Sequence, residues 1–465
     1  MDFLDREHEM RRLVRSSADP DGGLVVVWGR RRIGKTRLLL EWVERNGGLY
    51  WVADESAAPL QRRYLAETLE LKLPGFGSVE YRDWSSLLDR LARDAKTVGW
   101  RGPIVFDELP YLLGSSPELP SALQRFVDHG ARTARLTIAL AGSSQRMMQG
   151  LALDPNAPLY GRAREIIKLQ PLGATHMGRA LGMDNPVDVV AAWSAWGGVP
   201  RYWELASNCA DLRDAVDSLV LDPQGPLHEE PARLLLEEMP PATALRPLLD
   251  AIGSGAHRVS EIAARVGQPA TSLSRPLTRL QDLDLVLREL PFGEPERSSK
   301  RALYKINDPF LRLWFIAVAS KRSILLQVPR KARLRIFDQV RPRLCSMAWE
   351  DLSRAAVPHL SRRLGVEFGP ARRYWAGNGP EWDVVAEAED GTLLVGEVKW
   401  FDREPSAGQI RDAVGTLLAK GVPPVRSKKG ERVIHVLFVP SVPRGTRDSG
   451  HVKFIDAATV LAAST

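Results

Sequence analysis

The chain has 465 residues, of which 44% are hydrophobic and 26% charged. That is the composition of a folded chain with core enough for about three domains. Two distant cysteines, Cys209 and Cys345, exclude a disulfide framework and a cysteine-type zinc site and point to a reducing cytoplasm. A net charge of +7 is a weak hint of an anionic partner.

Residues 1–13 set Phe3, Leu4, Met10 and Leu13 among charges, an amphipathic helix with no apolar signal core. After the turn Asp19-Pro20-Asp21-Gly22-Gly23, the run Leu24–Trp28 reads as a buried parallel strand. Gly29-Arg30-Arg31-Arg32-Ile33-Gly34-Lys35-Thr36 then fits G-x-x-x-x-G-K-[ST] at every fixed position. Arg37–Val43 continues a helix begun at Lys35. Strand, glycine loop and helix form the context in which backbone N–H groups and a helix N-terminus surround phosphate. There Lys35 reaches the β- and γ-phosphates of a nucleotide, Thr36 offers its hydroxyl to Mg²⁺, and Gly29 through Arg37 line the nucleotide.

Leu49–Ala53 reads as a second strand, and Leu60–Leu71 and Trp84–Ala95 as helices. Pro103-Ile104-Val105-Phe106-Asp107-Glu108 is an apolar strand that ends in two acids. Asp107 would sit near the metal and Glu108 would polarise the attacking water. Leu136–Ser144 is a further strand with small polar residues at its end. Ser143 or Ser144 there either touches the γ-phosphate or makes an ordinary turn. Arg162 and Arg164 either act as a finger on the nucleotide of a neighbouring copy, which implies a homo-oligomer, or are surface charge. Apolar strands alternating with helices predict an α/β fold, a mostly parallel sheet with ligand at the strand C-termini.

Residues 166–235 look all-helical, broken at Gly197-Gly198-Val199-Pro200. The order Phe3…Asp5-Arg6-Glu7…Glu9, the glycine loop, Phe106-Asp107-Glu108-Leu109-Pro110-Tyr111, Ala141-Gly142-Ser143-Ser144, Leu159-Tyr160-Gly161-Arg162 and Gly197–Pro200 resembles the archaeal-type AAA+-related ATPases, close to the STAND class. The resemblance implies adenine rather than guanine as the base, and a helical lid over 166–235.

Within 236–308, a helix face at Leu248, Leu249 and Ile252 is followed by helices Val259–Val266 and Ala270–Leu280. Leu285–Leu290 and Arg301–Ile306 then pair as strands, so the segment reads as a winged helix. Its second helix would present Ser272, Ser274, Arg275, Thr278 and Arg279 to DNA, or pack against protein instead. Pro276 kinks that helix or lies in its first turn. The wing tip carries Glu294, Glu296, Arg297, Lys300 and Arg301. Residues 309–345 form a basic helical connector with Arg312, Lys321, Arg322, Arg330, Lys331, Arg333, Arg335, Arg341 and Arg343. They are either a phosphate-backbone track or a solvated face. The longest apolar stretch, Phe310–Ala319, is interrupted by Arg312 and is too short for a bilayer, so no membrane partner is expected.

In 346–465 an amphipathic helix opens at Trp349-Glu350-Asp351-Leu352. Strands Trp382–Ala386 and Thr392–Trp400 flank the turn Ala388–Gly391, a β-hairpin. Glu397 and Lys399 share one strand face, and the hairpin brings Asp383 beside them. An acid followed by Glu-x-Lys suits metal-dependent phosphodiester cleavage. Asp383 and Glu397 would hold Mg²⁺, Glu350 would add a ligand, Lys399 would steer or deprotonate water, and Gln409 would orient the site. This resembles the PD-(D/E)xK restriction-endonuclease-like fold, a domain that ends many archaeal-type ATPases. The expected fold class is therefore α/β: an AAA+-like P-loop core over 1–165, the lid, the winged helix, the connector and a small α/β nuclease-like domain.

Overall fold

The computed structural model describes residues 3–143, 148–238, 245–298, 301–377, 379–425, 432–443, 448 and 451–463. They fall into two compact units, 2–171 and 172–465. Among the described residues no helix is long and apolar enough to cross a membrane.

The first unit holds an all-parallel five-stranded sheet. Its strands are β1 (Gly23–Trp28), β2 (Leu49–Val52), β3 (Ile104–Asp107), β4 (Thr137–Gly142) and β5 (Ala163–Lys168), in the order β2-β3-β4-β1-β5. Helix α1 (Glu7–Ala18) precedes β1, and α2 (Lys35–Arg45) follows it. Helices α3 (Ala58–Leu69) and α4 (Trp84–Val98) lie between β2 and β3, and the short α5 (Leu109–Ser115) follows β3.

Buried residues line both faces of β1, which is why Leu24–Trp28 reads as a continuous apolar run. Leu24 and Val26 pack with Leu87, Leu88 and Leu91 of α4, while Val25 and Val27 pack with Leu13 of α1 and Leu38, Leu39 and Trp42 of α2. Helix α4 starts at an Asp83–Ser86 capping box and stops at Gly99 in the left-handed region. The register aligns Trp28 with Gly142 and Phe106 with Leu140. The C-terminal ends of β1, β3 and β4 therefore meet at one edge of the sheet. The expected boundary at residue 165 falls inside β5, and residues 166–168 are strand rather than helix because they pair with Val26–Trp28.

The second unit begins with helices, among them Pro186–Trp196 and Pro200–Ala206, whose Trp196, Tyr202 and Trp203 are fully buried. Helices Arg246–Gly253, Val259–Val266 and Ser274–Asp282 are followed by an antiparallel pair, β6 (Val286–Glu289) and β7 (Leu303–Ile306). Pro276 sits in the first turn of its helix, where its missing N–H has no intrahelical partner to lose.

A 27-residue helix, Arg330–Ala356, runs through the boundary expected at 345. It leads to a mixed sheet of β8 (Arg372–Tyr374), β9 (Trp382–Glu387), β10 (Leu393–Val398), β11 (Val433–Phe438) and β12 (Val452–Ile455), in the order β12-β11-β10-β9-β8. Strands β8, β9 and β10 are antiparallel neighbours, whereas β10, β11 and β12 run parallel. One core joins Trp203, Trp314, Trp349, Leu394 and Phe438, so the helical, hairpin, connector and C-terminal segments of this unit share a hydrophobic interior. The opposite face of the sheet packs Val385 and Val395 on Ile410, Ala413 and Leu417 of the helix Ala407–Lys420.

Candidate functional sites

The first site forms where β1, β3 and β4 end. Gly29 adopts a φ of +153°, and a Cβ there would lie 2.7 Å from both the Leu169 carbonyl oxygen and Ile33 Cδ1. Only glycine fits this close approach. Gly34 is also left-handed and leads directly into α2. Lys35 is buried, and its Nζ donates to the carbonyls of Gly29 at 2.8 Å and Arg30 at 3.1 Å. The ammonium thus stands inside the loop, where it can meet phosphate oxygens. Arg31 donates to the Tyr111 hydroxyl at 3.4 Å. The side chain of Arg37 lies on the outer surface of α2, 4.0 Å from Glu41.

Asp107 is 1% exposed and carries three donors. Its Oδ2 accepts from Thr36 Oγ1 at 3.2 Å and Tyr50 OH at 2.5 Å, and its Oδ1 accepts from the Glu108 N–H at 2.8 Å. Burial and then the charge of Asp107 push the Tyr50 hydroxyl pKa up, so it stays a donor. A hydroxyl and a carboxylate oxygen this close fit a hard divalent cation beside a bound nucleotide. Glu108 has a φ of +50°, a strained geometry for a residue other than glycine. It turns the carboxylate toward β4, where Ser143 Oγ donates to Oε2 at 3.0 Å. Ser144 lies outside the described residues.

Two neighbours of this site have no role assigned by motif reading. Tyr50 acts from the next strand with no local pattern to mark it. Arg6 is buried, and its guanidinium donates to the Ile33 carbonyl at 3.0 Å and the Gln170 carbonyl at 2.7 Å. It therefore ties the loop to the chain beyond β5. Arg162 makes a two-pronged pair with Asp128 at 2.8 and 3.0 Å, and Arg164 pairs with Asp19. Both expected fingers are thus engaged within their own unit.

The second site lies on β9 and β10. Asp383 Oδ2 accepts from the Val398 N–H at 3.0 Å, which sets it beside Glu397. Glu397 is 2% exposed, with Lys399 Nζ at 2.8 Å from Oε1 and Lys420 bound to Oε2. The shared strand face of Glu397 and Lys399 is observed; Lys420, at the end of the helix Ala407–Lys420, is a partner the Glu-x-Lys pattern does not contain. Burial, then the neighbouring Glu397, raises the pKa of Asp383. Burial opposes charge on Lys399, but the hydrogen bond to Glu397 together with the charges of Glu397, Asp383 and Glu350 outweighs this and raises its pKa. Burial likewise raises the pKa of Glu350, which lies 3.6 Å from Arg354.

Three of the expected groups meet other partners here. Among the described residues no three acidic, histidine or cysteine side chains gather to hold a metal ion, so Glu350, Asp383 and Glu397 do not form a three-carboxylate cage. Glu350 is instead drawn toward Arg354. Gln409 accepts from the Ser406 N–H at 2.9 Å and serves as a helix cap. The basic connector is largely neutralised: Arg330 and Arg333 pair with Asp217, Arg333 also with Asp222, Arg322 with Glu229, and Arg312 with Asp351. Lys321 is half-buried, whereas Lys331, Arg275 and most of the Ser274–Arg275 turn are exposed; Arg279 is half-buried. The hairpin loop is tied down as well, since Glu296 pairs with Arg372 and the Phe292 N–H donates to the Arg373 carbonyl at 2.7 Å. Lys300 lies outside the described residues.

Beside this site a charged network joins β6, β7, the long helix and β8. Asp351 meets Arg312 at 2.6 Å, Arg354 at 2.6 Å and Lys305 at 3.1 Å, and Glu289 meets Lys305 at 3.3 Å and Arg373 at 3.2 Å. Burial works against the Asp351 carboxylate, but these cations hold its pKa well below the usual range. Arg354 also donates to the Asp383 carbonyl at 3.1 Å.

Residues 3–205 match the family described as an ATPase domain predominantly from Archaea. Residues 314–410 match a family of archaeal and bacterial proteins of unknown function. An uncharacterized protein of Methanocaldococcus jannaschii is 27% identical over 410 residues, which is 86% of this chain and 88% of the relative. Among solved structures, the Walker-type ATPase PABY2304 of Pyrococcus abyssi is similar with a TM-score of 0.50 and 20% identity, over 68% of this chain and 96% of that one. The glycine loop, the paired acids and the strand order make the first unit similar to the P-loop ATPase domain described by that archaeal family.

Proposed function

We propose that the chain hydrolyses ATP in its first unit and processes nucleic acid in its second, with a divalent cation at each site. The observation that carries the second half is the pairing of Asp383 and Glu397 on adjacent strands with Lys399 beside them. In the first unit, Lys35 would bind the β- and γ-phosphates, and Glu108 would take the water's proton while Ser143 holds its carboxylate in place. Thr36 and Asp107 would hold Mg²⁺, which neutralises phosphate charge when bound. In the second unit Asp383 and Glu397 would hold a cation that polarises a phosphodiester, and Lys399 would orient the attacking water. Helices Val259–Val266 and Ser274–Asp282 with the β6–β7 hairpin support a winged-helix reading in which Arg275 and Arg279 contact DNA phosphate, and Lys331 on the helix Arg330–Ala356 is a further candidate. Self-association through Arg162 would require its pair with Asp128 to open.

The test is cleavage of supercoiled, linear duplex and single-stranded DNA with Mg²⁺ or Mn²⁺, with and without ATP. Wild type should cleave and Glu397→Ala should not, while both hydrolyse ATP. A second reading is a nucleotide-switched regulator that binds DNA or protein without cleaving. It is favoured by the two lysines that already neutralise Glu397. No cleavage on any substrate with ATP turnover intact would select it.

A further inference from the structure

We propose that Lys420 is a built-in placeholder for the divalent cation at Glu397, released when the cation binds. This rests on the reading of Asp383 and Glu397 as a cation site. The two oxygens of the Glu397 carboxylate are divided between two ammonium groups, Lys399 on Oε1 and Lys420 on Oε2. A cation that ligates Glu397 is repelled at close range by both ammonium groups, and it binds more readily once one of them leaves. Lys399 lies two residues along the same strand edge, and its N–H donates to the Phe438 carbonyl at 2.9 Å. Lys420 comes from a separate element, 23 residues away in sequence, and its ammonium can leave without disturbing the sheet.

Its present position is built in. The helix Ala407–Lys420 is fixed at its start by the Ser406–Gln409 capping box and ends at Gly421 with φ +65°. The Gly421 carbonyl accepts from Trp382 Nε1 at 3.1 Å, and Trp382 precedes Asp383 on β9. The last turn of a helix favours a cation. The helix end is thus pinned to the strand that carries Asp383 while its lysine covers the acid on the next strand. Without a cation the site is charge-balanced, as a nearly buried carboxylate must be. Cation affinity is therefore lowered by the cost of displacing Lys420.

Mn²⁺ titration of the nucleotide-free full chain by calorimetry tests this, with Glu397→Gln as the blank for all other sites. Lys420→Met should bind Mn²⁺ on the order of tenfold more tightly than wild type, because a like charge beside the cation is gone. Lys420→Arg, which keeps the charge, should show no such gain. Far-UV circular dichroism and cooperative melting establish that each variant is folded. Unchanged or weaker Mn²⁺ binding in folded Lys420→Met overturns the placeholder and leaves the cation site standing. No Glu397-dependent binding in wild type, Met or Arg variants overturns both.

Discussion

The two sites place acids at strand ends yet treat them differently. In the first unit Asp107 is surrounded by neutral donors, two hydroxyls and an amide, so its negative charge is kept for an incoming cation. The nearby Lys35 is turned onto backbone carbonyls instead. In the second unit Glu397 is met by two lysines, so its charge is already balanced. The first arrangement is ready for a charged ligand; the second must overcome the repulsion of two ammonium groups to accept one. Hydroxyls and amides orient a carboxylate without competing for its charge, whereas ammonium groups do both.

The sharpest way to break this contrast is at Glu108. Glu108→Gln keeps the shape and the Ser143 contact but cannot take a proton. It should lower ATP turnover by about 10²–10³-fold with nucleotide affinity nearly unchanged. Single-turnover hydrolysis beside fluorescent-nucleotide titration separates the two effects, and equal losses in both would remove Glu108 from the chemistry.

Next comes the network that backs the second site. Asp351→Ala leaves Arg312, Lys305 and Arg354 facing one another without their shared counter-charge. The side chain of Asp351 is 31% exposed, so the cost should fall to about 2–3 kcal/mol, under that of a fully enclosed pair. Urea unfolding would measure it, and a change below about 0.5 kcal/mol would make the network ornamental. The same assay applies to Arg6→Ala in the first unit, where two carbonyls lose a charged donor. The expected cost is about 2 kcal/mol, with weaker nucleotide binding because Ile33 belongs to the loop. Arg6→Lys should rescue only part, since an ammonium cannot span both acceptors in the same fixed geometry.

The contrast also explains what the sequence makes legible. The glycine loop is contiguous: its glycines, lysine and threonine fall within eight residues, and local backbone geometry brings them together. Asp107 and Glu108 are readable because an apolar strand delivers them. Tyr50 is not, and Arg6 is marked only as part of the resemblance, since each reaches the site across the fold with no spacing rule to announce its contact. In the second unit the hairpin makes Asp383, Glu397 and Lys399 readable by strand alternation. Lys420 depends on where a crossover helix ends, which alternation does not fix. The basic run 309–345 leaves two readings open for a related reason: its partners, such as Asp214, Asp217 and Asp222, lie about a hundred residues earlier and meet it only after folding.

The smallest effect tests the charge balance from the other side. Burial and Glu397 raise the pKa of Asp383, so its folded-state value lies above the unfolded one. The folded state then binds a proton more readily, and stability rises as pH falls from above the folded pKa toward the unfolded one. Above that window the ionised carboxylate opposes folding. Asp383→Asn removes this charge and should raise the melting temperature at neutral pH by about 2 °C, with the gain shrinking as the pH is lowered toward 4. Thermal melts of both proteins across this pH range in the presence of a chelator measure the difference. A gain that persists at low pH would trace it to packing, and a loss at neutral pH would mean that Lys399 and Lys420 already balance Asp383 as well as Glu397.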